Sequence, residues 1–227
     1  MPVRAVLLDA TGTLIELAEP VGETYARVAR RHAAPLSARR LGEAFGRAFA
    51  AAPPLVFPDT PAERVESLER DWWRALVRAT FLGAGAAVRP RDFDPCFEAL
   101  YAHFASAAAW RLREGGIEAL TALRASSMRL AVVSNFDRRL RGLLEALALS
   151  PLLDAIVLPS DAGAAKPEPA IFLHALRALG VGPAEAAFVG DDAERDLAGA
   201  AAAGLRAIDV ASLATLAALP ARVSALA

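Results

Sequence analysis

The sequence predicts an α/β fold in which helices cover both faces of a doubly wound parallel sheet. Short runs rich in alanine, valine, leucine and isoleucine predict the strands, because a strand buried on both faces needs apolar side chains at nearly every position. Between these runs, apolar residues recur at helical spacing, as at Leu140, Leu143 and Leu147. Strands and helices that alternate in this way are typical of a parallel sheet with helical crossovers. The predicted strands are residues 3–8, 130–134, 155–159, 186–190 and 205–210.

The charge balance and the cysteine count exclude several classes of protein. The 227 residues carry 25 basic and 26 acidic side chains, for a net charge of −1. This balance offers no basic surface to nucleic acid. The single cysteine, Cys96, cannot form a disulfide framework. No apolar run approaches the roughly 18 residues of a membrane span, and no secretory leader opens the chain. We therefore expect a soluble, cytoplasmic protein that binds neither nucleic acid nor membrane.

The stretch from residue 16 to residue 113 differs from the rest, because it contains helix-like segments and no convincing strand. We interpret it as an all-helical insertion, with residues 1–15 and 114–227 forming the core. Both of its ends return near the carboxyl end of the first strand, where open α/β sheets bind ligands. We expect the insertion to act as a helical lid; the alternative is a packing subdomain that gates nothing. Substrate specificity is expected in its proline-rich loop, residues 53–61, which contains Phe57.

The basic residues are distributed unevenly between the two kinds of cation. Of the 25, 24 are arginine and one is lysine, Lys166, while Asn135 is the single asparagine. In a chain that uses arginine wherever either cation serves, a lone lysine indicates a position that needs a compact ammonium and not a planar guanidinium. Lys166 lies in the loop after the third predicted strand. It is therefore a candidate functional residue.

Polar residues follow the predicted strands at the point where each strand ends. The carboxyl ends of parallel strands lie along one edge of a sheet, so these side chains are expected to converge. Single members have structural alternatives, since Asp192 would serve as a helix cap and Asp196 as an acid favoured by a helix dipole. The converging residues are Asp9, Ser134, Asn135, Lys166, Asp191 and Asp192.

Four segments at the predicted strand ends form a recognisable set of motifs. They are Asp9-Ala10-Thr11-Gly12-Thr13-Leu14, Val133-Ser134-Asn135, Lys166-Pro167-Glu168-Pro169, and Val189-Gly190-Asp191-Asp192 with Asp196. In their order and predicted secondary structure they resemble the motifs of the haloacid dehalogenase-like hydrolase superfamily. The resemblance covers the whole chain and implies a Rossmann-like core with a type-one helical cap inserted after the first strand. Residues 20–25, Trp72-Trp73 and residues 133–140 resemble in particular the rhythmically-expressed-gene branch of this superfamily.

The chemistry of these residue types points to phosphoryl transfer. A carboxylate at a strand end can attack phosphorus and form an aspartyl-phosphate, and Asp9 is the candidate nucleophile. The negative charge of a phosphoryl group calls for a hard cation, and Mg²⁺ prefers carboxylate and carbonyl oxygens. We expect Mg²⁺ to be held by Asp9, Asp191 and the backbone carbonyl of Thr11, with Asp192 or Asp196 in support.

The expected substrate is a small phosphorylated molecule. Lys166 would neutralise charge on the phosphoryl oxygens and on Asp9, and Ser134 would donate a hydrogen bond to a phosphoryl oxygen. Asp9, Ser134 and Lys166 are thus the expected catalytic residues. The candidate substrate-binding residues are Thr11, Gly12, Thr13, Ser134, Asn135 and Lys166.

One position departs from the pattern of the superfamily. Its phosphatases carry a second aspartate two residues after the nucleophile, which protonates the leaving alcohol, and here that position is Thr11. The loss of such an acid–base group typically costs about 10²–10⁴ in rate. Three interpretations follow: a slow phosphatase, or one acting on acyl or aryl phosphates; a dehalogenase, whose departing halide needs no proton; or a regulatory protein that binds phosphate or Mg²⁺ with little turnover.

Overall fold

The computed structural model describes residues 2–32, 36–85 and 90–226. Within these residues a parallel sheet of five strands has the order β5-β4-β1-β6-β7. In its centre Leu8 of β1 lies beside Val132 of β4 and Val189 of β6. The strands of this sheet are β1 (Ala5–Leu8), β4 (Arg129–Val133), β5 (Ala155–Val157), β6 (Ala186–Gly190) and β7 (Arg206–Asp209). The predicted fold class and all five predicted strands are confirmed.

The chain divides into two compact units. The first comprises Met1–Glu16, Leu55–Asp59 and Leu112–Ala227, and the second comprises Leu17–Pro54 and Thr60–Arg111. Along the chain, Leu55–Asp59 falls inside the insertion, yet it groups with the first unit. The role of the insertion as a lid stays a prediction.

Helices of the first unit follow its strands and bury apolar side chains against the sheet. Phe172 of α8 and Phe188 of β6 are both fully buried, and their rings meet edge to face with centroids 5.1 Å apart. Burial of such side chains is the main stabilising contribution, at about 25 cal/mol per Å² of apolar surface. The helices are α5 (Gly116–Ala125), α6 (Arg139–Ala146), α7 (Pro159–Ala162), α8 (Pro169–Leu179), α9 (Gly199–Ala202) and α10 (Leu219–Ser224).

The second unit is built from longer helices around an aromatic core. Tyr25, Phe81, Phe93 and Phe97 are buried there. Arginines one helical turn apart on α3 lie over aromatic rings one turn apart on α4, which adds cation–π attraction to the packing. The helices are α1 (Val21–His32), α2 (Ala38–Ala51), α3 (Ala62–Gly83) and α4 (Pro90–Ala105). The insertion is therefore built mainly from helices, as its helix-like segments predict.

The expectation that the stretch from residue 16 to residue 113 holds no strand was wrong. Two short strands, β2 (Ile15–Leu17) and β3 (Trp110–Leu112), pair with each other where the chain leaves and re-enters the first unit. Each has three residues, which is too short to show the alternation of apolar and polar side chains that identifies a half-buried strand. Across the described ranges, no helix has both the length and the apolar surface needed to cross a bilayer.

Candidate active site

The carboxyl ends of three neighbouring strands bring the predicted polar residues together. Asp9 follows β1, Ser134 follows β4 and Asp191 follows β6, and β1 pairs with both of the other strands. The Asp9 N–H donates to the carbonyl of Val189 at 2.9 Å, which continues the pairing of β1 with β6. Asp9 and Ser134 are buried. Sheet topology thus places these side chains at one edge, as the sequence predicts.

The ammonium of Lys166 lies at the centre of this edge, between two carboxylates. Its Nζ donates to Oδ1 of Asp9 and to Oδ1 of Asp196, both at 2.6 Å. All three side chains are less than 10% exposed, at 4%, 9% and 2% for Lys166, Asp9 and Asp196. Buried charges need such partners, because removing an unpaired charge from water is costly. The single lysine of the chain is therefore part of a buried ion-pair network.

The network shifts the protonation equilibria of its members. Burial raises the pKa of Asp9, and the charge of Lys166 opposes that rise. Burial disfavours the charged ammonium of Lys166, but the attraction of Asp9 and Asp196 outweighs it and raises the lysine pKa above its ordinary value. Lys166 is therefore a permanent cation at neutral pH, and it favours the ionised form of Asp9 that a nucleophile needs.

Asn135 holds the backbone of Lys166 through a reciprocal pair of hydrogen bonds. Its Nδ2 donates to the Lys166 carbonyl at 2.8 Å, and its Oδ1 accepts from the Lys166 N–H at 2.8 Å. The peptide bond between Lys166 and Pro167 is cis. The amide of Asn135 is thus engaged with the protein chain, and its side chain positions Lys166.

Asp196 connects Lys166 to the loop that follows β6. Its Oδ2 accepts from the backbone N–H groups of Asp191 at 3.1 Å and Asp192 at 3.2 Å. The carboxylate packs so closely on the end of β6 that a Cβ at Gly190 would collide with it. Asp196 lies on a π-helical turn, Ala193–Ala198, and such turns are frequent at functional sites.

Three carboxylates at this edge form a candidate site for a hard cation. In the described part of the chain, ligand oxygens of Asp9, Asp191 and Asp196 lie within 4.8 Å of one another. Partial desolvation and the charge of Asp196 raise the pKa of Asp191. A divalent cation would relieve this repulsion, and the oxygen donors match the preference of Mg²⁺. The residues present therefore fit Mg²⁺.

Asp192 lies outside that carboxylate cluster. Its Oδ1 accepts from the backbone N–H groups of Glu194 at 3.0 Å and Arg195 at 2.8 Å. This is the geometry of a helix N-cap, which the sequence offered as the structural alternative for Asp192. Of the two supporting acids in the prediction, the geometry favours Asp196.

The loop after β1 makes a tight turn, and it contains the candidate substrate-binding residues Thr11, Gly12 and Thr13. The Gly12 N–H donates to the Ile15 carbonyl at 2.8 Å. The Thr13 hydroxyl is buried and has no hydrogen-bond partner among the described residues. Thr11 is exposed, so its side chain faces solvent. Of these three residues, Thr11 is thus the one whose side chain is accessible to a ligand.

Sequence reasoning missed one residue that contacts this loop. The guanidinium of Arg113 donates to the carbonyl of Gly12, although the two residues are 101 positions apart. Nothing in the sequence distinguished Arg113 from the other 23 arginines. Only the pairing of β2 with β3 brings Arg113 back to the loop.

Comparisons with known proteins place the sequence and the fold among described families. A family model described as haloacid dehalogenase-like hydrolase matches residues 3–204. The chain is 38% identical over 214 residues to haloacid dehalogenase-like hydrolase domain-containing protein 3 of Bos taurus, covering 93% of this chain and 83% of that protein. It is 27% identical over 201 residues to the rhythmically expressed gene 2 protein of Drosophila melanogaster, covering 85% and 77%.

A solved structure supports the same assignment. The HAD phosphatase from Thermococcus onnurineus superposes with a TM-score of 0.59 at 25% identity, covering 90% of this chain and 85% of that one. The resemblance stated from the motifs, including its rhythmically-expressed-gene branch, is confirmed. With its parallel sheet and its carboxylate–lysine network, the chain belongs to the haloacid dehalogenase-like hydrolase family.

Proposed function

We propose that this hydrolase is a Mg²⁺-dependent phosphohydrolase of small phosphorylated molecules that works through an aspartyl-phosphate on Asp9. The observation that carries the proposal is the buried ammonium of Lys166, which is shared by Asp9 and Asp196 at 2.6 Å each. A buried cation beside a carboxylate nucleophile suits a reaction in which an anionic group must approach that carboxylate.

The first chemical step uses Asp9 as the nucleophile. A carboxylate oxygen of Asp9 forms a bond to phosphorus, and the bond from phosphorus to the leaving oxygen breaks, so that the electron pair departs with the leaving group. Lys166 neutralises charge on the phosphoryl oxygens, and the Ser134 hydroxyl donates a hydrogen bond to one of them. Both groups are held in place before substrate arrives, since both are buried at the sheet edge.

The second step returns Asp9 to its starting state. Water attacks the phosphorus of the aspartyl-phosphate, inorganic phosphate leaves, and the carboxylate of Asp9 is regenerated while the proton of the water passes to solvent. Asp9, Asp191 and the backbone carbonyl of Thr11 would hold Mg²⁺, which would supply further charge neutralisation on the phosphoryl group. Asp196 supports this set through its hydrogen bonds to the loop after β6.

Thr11 determines which leaving groups are suitable. A threonine hydroxyl does not titrate near neutral pH, so it cannot protonate a departing alcohol as a carboxylic acid would. Acyl and aryl phosphates have leaving groups of low basicity that need no proton. We therefore propose such activated phosphates as the substrate class. Replacing Thr11 by aspartate is expected to raise the rate on alkyl phosphates, because the new side chain provides the missing acid.

A screen of activated phosphates with and without Mg²⁺ tests the proposal. We expect phosphate release from an aryl phosphate in the presence of Mg²⁺ and none from Asp9→Asn, which keeps the side-chain shape but loses the nucleophile. Release equal to that of Asp9→Asn would refute catalysis and favour a phosphate-binding regulatory protein. Release of halide from a 2-haloacid without added metal would instead identify a dehalogenase.

A further inference from the structure

At Gly12, the loop after β1 lies directly against the carboxylate of Asp191. Gly12 has φ of +90°, a conformation that residues with a Cβ rarely adopt. A Cβ at Gly12 would also collide with the Asp191 carboxylate. The position of the Gly12 backbone therefore limits how closely Asp191 approaches the loop that carries Asp9 and Thr11.

Arg113 holds this loop at two points. Its guanidinium donates to the Gly12 carbonyl, and its backbone N–H donates to the Leu14 carbonyl at 2.9 Å. Arg113 itself is half-buried, and its own carbonyl accepts from the N–H of Gly116, the first residue of α5, at 3.0 Å. The backbone of Arg113 is thus tied to the start of α5, and its guanidinium is bonded to the Gly12 peptide.

We propose that Arg113 is a positioning residue for the metal site: it fixes the Gly12 peptide and thereby the spacing between Asp191 and the oxygens of Asp9 and Thr11. The inference rests on the proposed function only in taking these oxygens as ligands of Mg²⁺. Mg²⁺ demands near-ideal octahedral geometry, so a small displacement of the loop weakens binding. In this role Arg113 acts through its bond to the Gly12 carbonyl.

The surroundings of Arg113 allow this role to be separated from folding. A cavity of about 220 Å³ borders its side chain and is lined in part by Glu16, Glu114 and Thr215. In the variant Arg113→Gln, the shorter side chain leaves room for water beside the half-buried Gly12, so that its carbonyl keeps a hydrogen-bond partner. We therefore expect a folded protein whose loop has lost its restraint.

Calorimetric titration with Mg²⁺, in the absence of substrate, measures the proposed effect directly. We expect Arg113→Gln to raise the Kd for Mg²⁺ about 10- to 100-fold, the usual result of removing a group that orients metal ligands. Arg113→Lys, which keeps a positively charged donor, should recover most of the affinity. The matched control is Arg206→Gln, which removes an arginine that donates to the backbone carbonyl of Leu226, and it should bind Mg²⁺ like the parent protein.

Each outcome decides the proposal. Equal Kd values for the parent protein and Arg113→Gln would overturn the role of Arg113 and leave the proposed function intact. Failure of the parent protein to bind Mg²⁺ would overturn both. If Arg113→Gln does not fold, a folded Arg113→Lys with weak Mg²⁺ binding would show that the whole guanidinium packs the site, and this too would overturn the assignment.

Discussion

Replacing Asp196 by asparagine removes one charge with almost no change of shape, and the structure predicts a large loss of stability. Oδ1 of Asp196 accepts from the Lys166 ammonium at 2.6 Å, and Oδ2 accepts from two backbone N–H groups, of Asp191 and Asp192. An asparagine amide has one acceptor and one NH₂ donor group. In one orientation the new NH₂ group would face the Lys166 ammonium. In the other it would face the backbone N–H groups of Asp191 and Asp192, so a donor meets a donor in both.

The magnitude follows from the burial of this pair. Removing one partner of a buried ion pair costs about 3–5 kcal/mol. Lys166 keeps Asp9 as a second partner at 2.6 Å, so we expect the lower end, about 3 kcal/mol. For a chain of this length each kcal/mol lowers Tm by about 2–4 °C, which gives a decrease of about 6–12 °C. Phosphate release should fall on the order of 10²-fold, because Lys166 loses its position.

Asp192→Asn is the matched control, since it makes the same substitution four residues away. Asparagine caps a helix about as well as aspartate, so the bonds to Glu194 and Arg195 persist. We expect a change in Tm within about 2 °C. Both variants are compared with the parent protein by circular dichroism melting in EDTA, which keeps metal binding out of the comparison. Equal shifts for the two variants, or a shift under about 2 °C for Asp196→Asn, would refute the reasoning.

Three further substitutions or modifications test other contacts. Asn135→Asp places an acceptor against the Lys166 carbonyl, and we expect a cost of about 2 kcal/mol and a Tm lower by about 4–8 °C; an unchanged melting curve would mean that the pair contributes nothing. Lys166→Arg should reduce phosphate release on the order of 10²-fold, and a rate within a factor of about two of the parent would contradict the need for an ammonium. Burial raises the pKa of Cys96 to about 11, so below that pH the thiol stays protonated and the reactive thiolate is scarce. Iodoacetamide at pH 8 should therefore label Cys96 only after unfolding, and rapid labelling of the native protein would contradict this.

The sheet and its edge were predictable because each depends on a strong local signal. A strand buried on both faces must be apolar throughout, and β1 and β6 are buried at every position. The rule that parallel strands end at one edge then places Asp9, Ser134 and Asp191 together. Neither inference needs knowledge of side-chain contacts.

The pairing of individual side chains was not predictable. The sequence left open whether Asp192 or Asp196 supports a metal, and it gave no sign that Asp196 bonds to Lys166. Asn135 was a candidate substrate-binding residue, and the structure adds that its amide bonds to the Lys166 backbone. Such assignments depend on distances of a few ångströms between segments about 30 residues apart, which residue order does not encode.

The single lysine and the single asparagine of the chain are hydrogen-bonded to each other, since the Asn135 side chain bonds to the Lys166 backbone. The use of lysine at this position, in a chain whose other cations are arginines, has a physical explanation. An ammonium has three donors, and Asp9 and Asp196 accept two of them. The proposed function assigns the third to a phosphoryl oxygen of the substrate. A guanidinium would bring five N–H donors in one plane, and in this buried space those without an acceptor would each cost about 1–3 kcal/mol. Under the proposed function, lysine is the cation whose remaining hydrogen bond the substrate completes at this site.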